Sequence, residues 1–103
     1  MTDYRFEREC RTPYSESYVI AVEDEQIIGR VDLHFTTSVV NASLSVGESM
    51  TSEEIRELIN VIDEEIVLSA DMPRDDFMVT VYQGREVGIF SDEEFGGETE
   101  LED

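Results

Sequence analysis

Residues 27–46, IIGRVDLHFTTSVVNASLSV, decide the fold. Within this stretch every second residue is apolar on either side of a turn centred on Thr37-Ser38, and a side-chain period of two is typical of half-buried strands. The turn brings the apolar residues of both strands to one face, which a one-residue slip would prevent. The predicted pairs are Phe35 with Val40, Leu33 with Ala42, and Val31 with Leu44.

The same alternation continues towards the N-terminus. Residues 18–23 predict a strand that pairs with the first strand of this stretch through a turn at Asp24-Glu25. The predicted pairs are Val22 with Ile27, Ile20 with Gly29, and Tyr18 with Val31. Tyr4 and Phe6 also alternate, so residues 3–8 predict a short edge strand.

A helix is predicted from Ser52 to Leu68. Thr51 and Glu54 have the spacing of a capping box, and Met50 has the spacing of a hydrophobic staple to Ile55. Apolar residues spaced three and four apart form one stripe that faces the sheet; they are Ile55, Leu58, Ile59, Ile62 and Ile66. Met72-Pro73 ends the helix, because a residue before proline avoids helical angles.

After the helix, residues 77–81 and 85–89 predict a second hairpin with Gly84 in the left-handed region of its loop. We therefore expect a two-layer α+β fold, β-β-β-α-β-β, in which one amphipathic helix packs on one face of an antiparallel sheet of about five strands. The predicted organisation is an N-terminal arm or edge strand (1–16), a single domain (17–90) and an acidic, disordered C-terminal tail (91–103).

Charge restricts the function more than any motif does. The 103 residues hold 26 acids, seven arginines and no lysine, for a net charge of −19. Such a surface repels nucleic acid and anionic membranes and favours a basic protein partner. The apolar runs are too short for a membrane span or a secretion signal, and a lone Cys10 closes no disulfide, so we expect a cytoplasmic protein.

No residue pattern predicts catalysis, a cofactor or a metal site. His34, Asp32 and Ser43 fall on one open sheet face, but a flat face offers neither a strained nucleophile nor an oxyanion hole. One Cys and one His cannot form the usual zinc sets, and both EF-hand and phosphate-loop motifs are missing. The acidic clusters at residues 23–25, 63–65 and 75–76 are interpreted as solvated surface.

Our main hypothesis from the sequence is a small, acidic, non-enzymatic interaction or regulatory module that binds a basic partner. The predicted partner-binding carboxylates lie on the outer helix face and in the tail; they are Glu53, Glu57, Glu64, Asp92, Glu93 and Glu94. One alternative is a nucleic-acid mimic that inhibits a DNA- or RNA-binding protein, although Asn60 interrupts the row of acids. The other alternative is a domain of a salt-adapted organism whose acids serve solubility alone.

Over about residues 18–68, three strands followed by Gly47–Ile55 and an amphipathic helix are similar to antitoxins of the HicB type. The glycine-tyrosine and proline-aspartate-leucine segments expected in that family are absent. The likeness is restricted to this order of elements, and no functional residue is carried over from it.

Overall fold

The computed structural model describes residues 3–68 and 76–92. Within them, five strands form one sheet in the order β1-β2-β3-β4-β5, and a single long helix covers one of its faces. The elements are β1 (Arg5–Thr12), β2 (Ser15–Val22), β3 (Gln26–Phe35), β4 (Val39–Gly47), α1 (Ser52–Ile62), a π-helical continuation (Asp63–Val67) and β5 (Asp76–Gly84). The α+β class is confirmed, but the sheet is mixed, since β4 and β5 are parallel.

The central hairpin has the predicted register. All three predicted β3–β4 pairs are present. Of the β2–β3 pairs, Ile20 with Gly29 and Tyr18 with Val31 are confirmed, whereas Val22 lies opposite Gln26 rather than Ile27. The reason is a bulge, which leaves Ile28 without a partner in β2 and shifts the register by one residue.

The turn between β2 and β3 contains the predicted Asp24-Glu25 and has three residues, 23–25, between the paired Val22 and Gln26. Asp24 and Glu25 both have positive φ, 67° and 60°. Two successive residues in this region match the right-handed twist of a hairpin, although side chains other than glycine, asparagine and aspartate rarely adopt it. The close connection of β2 to β3 therefore costs conformational energy at Glu25.

Helix α1 begins as predicted. The Thr51 side chain accepts a hydrogen bond from the Glu54 backbone N–H, and the Glu54 carboxylate accepts one from the Thr51 N–H. The helix runs into the π-helical turn, which places Ile66 and Val67 in the core. The predicted terminator Met72-Pro73 lies outside the described residues.

The core lies between α1 and the apolar face of the sheet. Its fully buried side chains come from β2, β3, β4 and α1, and the largest of them are Ile20, Leu33, Leu44, Leu58 and Ile62. Partly buried Phe77 and Val79 extend this layer onto β5. Within the described residues no helix covers the opposite face of the sheet, which we call the open face.

The predicted second hairpin is wrong. Residues 82–84, predicted as its loop, continue β5 opposite Ser45, Val46 and Gly47, and residues 85–89 form no strand. Gly84 does not adopt a positive φ. The Gln83 side-chain amide donates to the carbonyls of Gly47 and Met50, at 3.1 and 2.6 Å, and holds the end of β5 beside β4. Helix α1 is long enough to carry the chain back along the sheet, so that β5 can run parallel to β4.

The edge strand predicted over residues 3–8 is present and extends to Thr12. β1 pairs with β2 from Arg5 to Thr12, with a bulge between Arg8 and Cys10. Tyr4, just before β1, is buried in the core. Of the predicted acidic tail, residues 93–103 lie outside the described residues.

Candidate functional site

The outer face of the helix is the most acidic surface of the described chain that a single element forms. Residues 52–67 contain six acids and one arginine. Glu53 and Glu64 are exposed and Glu57 is half-buried. At about 1.5 Å per residue, the face from Glu53 to Glu64 is about 16 Å long. The structure therefore brings together three of the six predicted partner-binding residues.

These three carboxylates have no ion pair within residues 3–68 and 76–92. The arginines that do have partners lie on strands. Arg30 pairs with Glu9 at 3.1 Å and Arg11 with Glu16 at 3.6 Å. β1 itself carries three arginines and two glutamates. The fold thus separates these three helix carboxylates from a nearly balanced edge strand.

The other predicted partner-binding residues are not joined to this face. Asp92 is exposed near the end of the described chain. Glu93 and Glu94 lie outside the described residues. The acidic cluster at residues 23–25 forms the β2–β3 turn, and Asp76 begins β5.

The open sheet face carries the histidine as predicted. Asp32 lies opposite Ser43, and His34 lies opposite Asn41. The Ser17 hydroxyl donates to the Asp32 carboxylate at 2.7 Å, a contact that the sequence did not predict because β2 was assigned to begin at residue 18. His34 is exposed on this face. The arrangement is a layer of cross-strand polar contacts, as expected on the solvated side of a sheet.

Cys10 is exposed on β1, opposite Ser17. Across the two described ranges, no group of three or more His, Cys, Asp or Glu side chains has the geometry to hold a metal ion. The described helices include none that is long and apolar enough to cross a membrane.

A tyrosine network at the β1–β2 end of the sheet was not predicted. Tyr18 donates its hydroxyl hydrogen to the Glu16 carboxylate, and its ring meets that of Phe6 edge-on at 6.4 Å between centroids. Partial burial raises the pKa of Tyr18, and the hydrogen bond and negative charge of Glu16 raise it further, while Arg8 opposes them. This network joins β1 to β2, since Arg11 pairs with the same Glu16.

A groove of about 1010 Å³ is lined by residues of all five strands and by the segment that follows β5. Its lining combines the apolar side chains of Val19, Ile28, Tyr82 and Ile89 with two arginines, Arg30 and Arg85, and three glutamates. The groove was not predicted, because residues 85–89 were assigned to a strand. A chain that leaves the sheet after Gly84 forms one side of the groove instead.

No protein-family model matches this chain, and neither does any curated protein or any solved structure.

Proposed function

We propose that this protein is a non-enzymatic interaction module that binds a basic protein partner through the outer face of its helix. The observation that carries the proposal is the row of Glu53, Glu57 and Glu64, three carboxylates without an ion pair within the described residues. A partner that brings lysine or arginine side chains to this face would gain complementary charge at little desolvation cost.

The wider charge distribution supports the same partner class. With a net charge of −19, the molecule attracts basic proteins over a distance set by the Debye length, about 8 Å at physiological salt. Such steering mainly raises the association rate and selects partners. Because Asn60 is exposed and interrupts the row, we favour a basic protein partner over mimicry of nucleic acid.

The test compares two variants with the same net charge. Glu53, Glu57 and Glu64 are changed to Gln together in one variant, and Glu23, Glu25 and Glu48 in the control. The probe is a 16-residue peptide of alternating Lys and Ala, and the dissociation constant is measured by calorimetry at low and moderate salt. We expect the helix variant to lose about tenfold in affinity, since removing each exposed charge contact costs up to about 1 kcal/mol, and the control to lose less than about twofold.

Equal losses in the two variants would show that net charge alone attracts the peptide, and would overturn the proposal of a helix site. Binding that does not weaken as salt rises would overturn it as well, because contacts between exposed charges are screened.

A further inference from the structure

The sheet has two edges that differ in chemistry. β1 forms one edge and β5 the other, and neither has a strand on its outer side within the described chain. An edge strand presents unpaired backbone N–H and C=O groups that can pair with another strand. Charged side chains and bulges are the usual features that prevent such pairing.

β1 has both of these protective features. Five of its eight residues are charged, and a bulge interrupts it between Arg8 and Cys10. β5 has no bulge, and its one charged residue is Asp76 at its start. From Phe77 to Gln83 its sequence, FMVTVYQ, contains no charge, proline or glycine, and its pairing with β4 has no irregularity. β5 is therefore the edge at which the sheet can be extended.

We infer that β5 pairs with β5 of a second copy of this chain, antiparallel and about a two-fold axis perpendicular to the sheet. Such an axis places the helices of both copies on the same side of the extended sheet. Paired residues of the two β5 strands must therefore lie on the same face of their own sheets. Centring the axis on Thr80 meets this condition. The pairs are then Asp76 with Gly84, Phe77 with Gln83, Met78 with Tyr82, and Val79 with Val81, each across the interface.

The proposed pairing of two β5 strands buries apolar side chains that are exposed in the single chain. Met78 and Tyr82 are 56% and 59% exposed. On the open face, Met78 of each copy lies opposite Tyr82 of the other copy. On the helix face Val81, which is 36% exposed, meets Val79 of the second copy. Cross-strand apolar pairs of this kind are a principal source of sheet stability.

Charge at the strand ends favours a second copy over an unrelated extended segment. Asp76 begins β5 and Arg85 follows its last residue, with no charge between them. In the proposed register Asp76 of each copy lies opposite Gly84 of the other copy, one residue from its Arg85. The strand is complementary to itself in both apolar pattern and charge.

The dimer has the opposite salt dependence to the proposed function. Two chains with a net charge of −19 repel each other, and added salt screens this repulsion. The dimer should therefore strengthen with salt, whereas the basic partner should dissociate. A failure of either proposal can thus be distinguished from a failure of the other.

The test is sedimentation equilibrium of the full chain and two variants at about 50 mM and about 500 mM NaCl. Thr80→Lys places two ammonium groups opposite each other at the axis, and Ser45→Lys is the control on the exposed face of β4. Both variants lower the net negative charge by one. We expect the wild-type dissociation constant to fall several-fold with salt, Thr80→Lys to raise it at least tenfold, and Ser45→Lys to leave it unchanged or lower.

A second pair of variants tests the dimer even if Thr80→Lys fails to fold. Asp76→Arg should weaken the dimer because two positive groups then meet, and adding Arg85→Asp to it should restore the affinity. A wild-type chain that stays monomeric at both salt concentrations, or a dimer that neither Thr80→Lys nor Asp76→Arg weakens, would overturn the inference.

Discussion

Gly29 lies where β3 passes too close to β4 for a side chain. A Cβ built on Gly29 would come within 2.2 Å of the Ser45 carbonyl oxygen, which is a backbone atom that cannot rotate away. A glycine within a strand often marks such a close approach. We expect Gly29→Ala to lower the free energy of unfolding by about 2–3 kcal/mol through overpacking, measured by urea denaturation.

Gly47 supplies the matched control. It also lies in a strand, but a Cβ there meets nothing within 4 Å. Gly47→Ala should change the free energy of unfolding by less than about 1 kcal/mol. Equal effects of the two substitutions would show that the contact with Ser45 does not determine the choice of glycine.

Glu25 carries avoidable strain in the β2–β3 turn. Its φ of 60° is one that glycine adopts readily and that other side chains rarely adopt. We expect Glu25→Gly to raise the thermal midpoint, with a gain of about 0.5–1 kcal/mol. Glu25→Gln removes the same charge without relieving the backbone, so a gain of equal size in that variant would assign the effect to charge.

Tyr18 makes stability depend on pH in the alkaline range. Because its pKa is raised in the folded state, the protonated hydroxyl favours folding. This contribution is fully present below the unfolded pKa of about 10 and is lost as pH rises through the folded value. In urea denaturation above about pH 9, we expect Tyr18→Phe to lose less stability per pH unit than wild type. Parallel pH profiles for the two proteins would contradict this role of Tyr18.

At the scale of the element, the capping box fixes where the helix begins. Thr51 and Glu54 satisfy each other's backbone N–H groups. We expect Thr51→Ala to lower the free energy of unfolding by about 1 kcal/mol, measured by chemical denaturation. Thr51→Ser keeps the hydroxyl oxygen and should stay close to wild type. A loss as large in Thr51→Ser as in Thr51→Ala would show that the methyl group, not the cap, is responsible.

The elements that could be predicted from the sequence are those whose information is local. The helix start and the β3–β4 hairpin follow from spacing within about twenty residues. The bulge at Ile28 could not be predicted, because Ile27 and Ile28 are both apolar and the sequence does not show which of them faces the core. The direction of β5 could not be predicted either, since it depends on pairing with β4 across the whole helix and on the contacts of Gln83 with Gly47 and Met50.

At the scale of the whole molecule, excess negative charge opposes the compact state. We expect the melting temperature to rise as NaCl increases from about 50 mM and to level off once the Debye length falls to a few ångströms, near 1 M. Calorimetry at low protein concentration measures this without a contribution from the dimer. A continued rise well beyond about 1 M would instead support the alternative that the acids serve salt adaptation.

The candidate site was predictable only in part, and for a physical reason. The acidic helix face follows from sequence, because Glu53, Glu57 and Glu64 share one side of a helix whatever the helix packs against. That these acids have no ion pair with another described residue depends on where the arginines lie, which is a property of the assembled sheet. The groove beside residues 85–89 has the same origin, because it exists only where the chain leaves β5.

The parallel pairing of β4 with β5 also determines the order in which the chain can be assembled. β1 to β4 follow one another through short turns, whereas Val39 meets Asp76, 37 positions further along the chain. Closing so long a loop has a larger entropic cost than closing a tight turn. Because synthesis runs from the N-terminus, the meander of four strands leaves the ribosome before β5. Until β5 arrives, the uncharged flank of β4 is an open sheet edge.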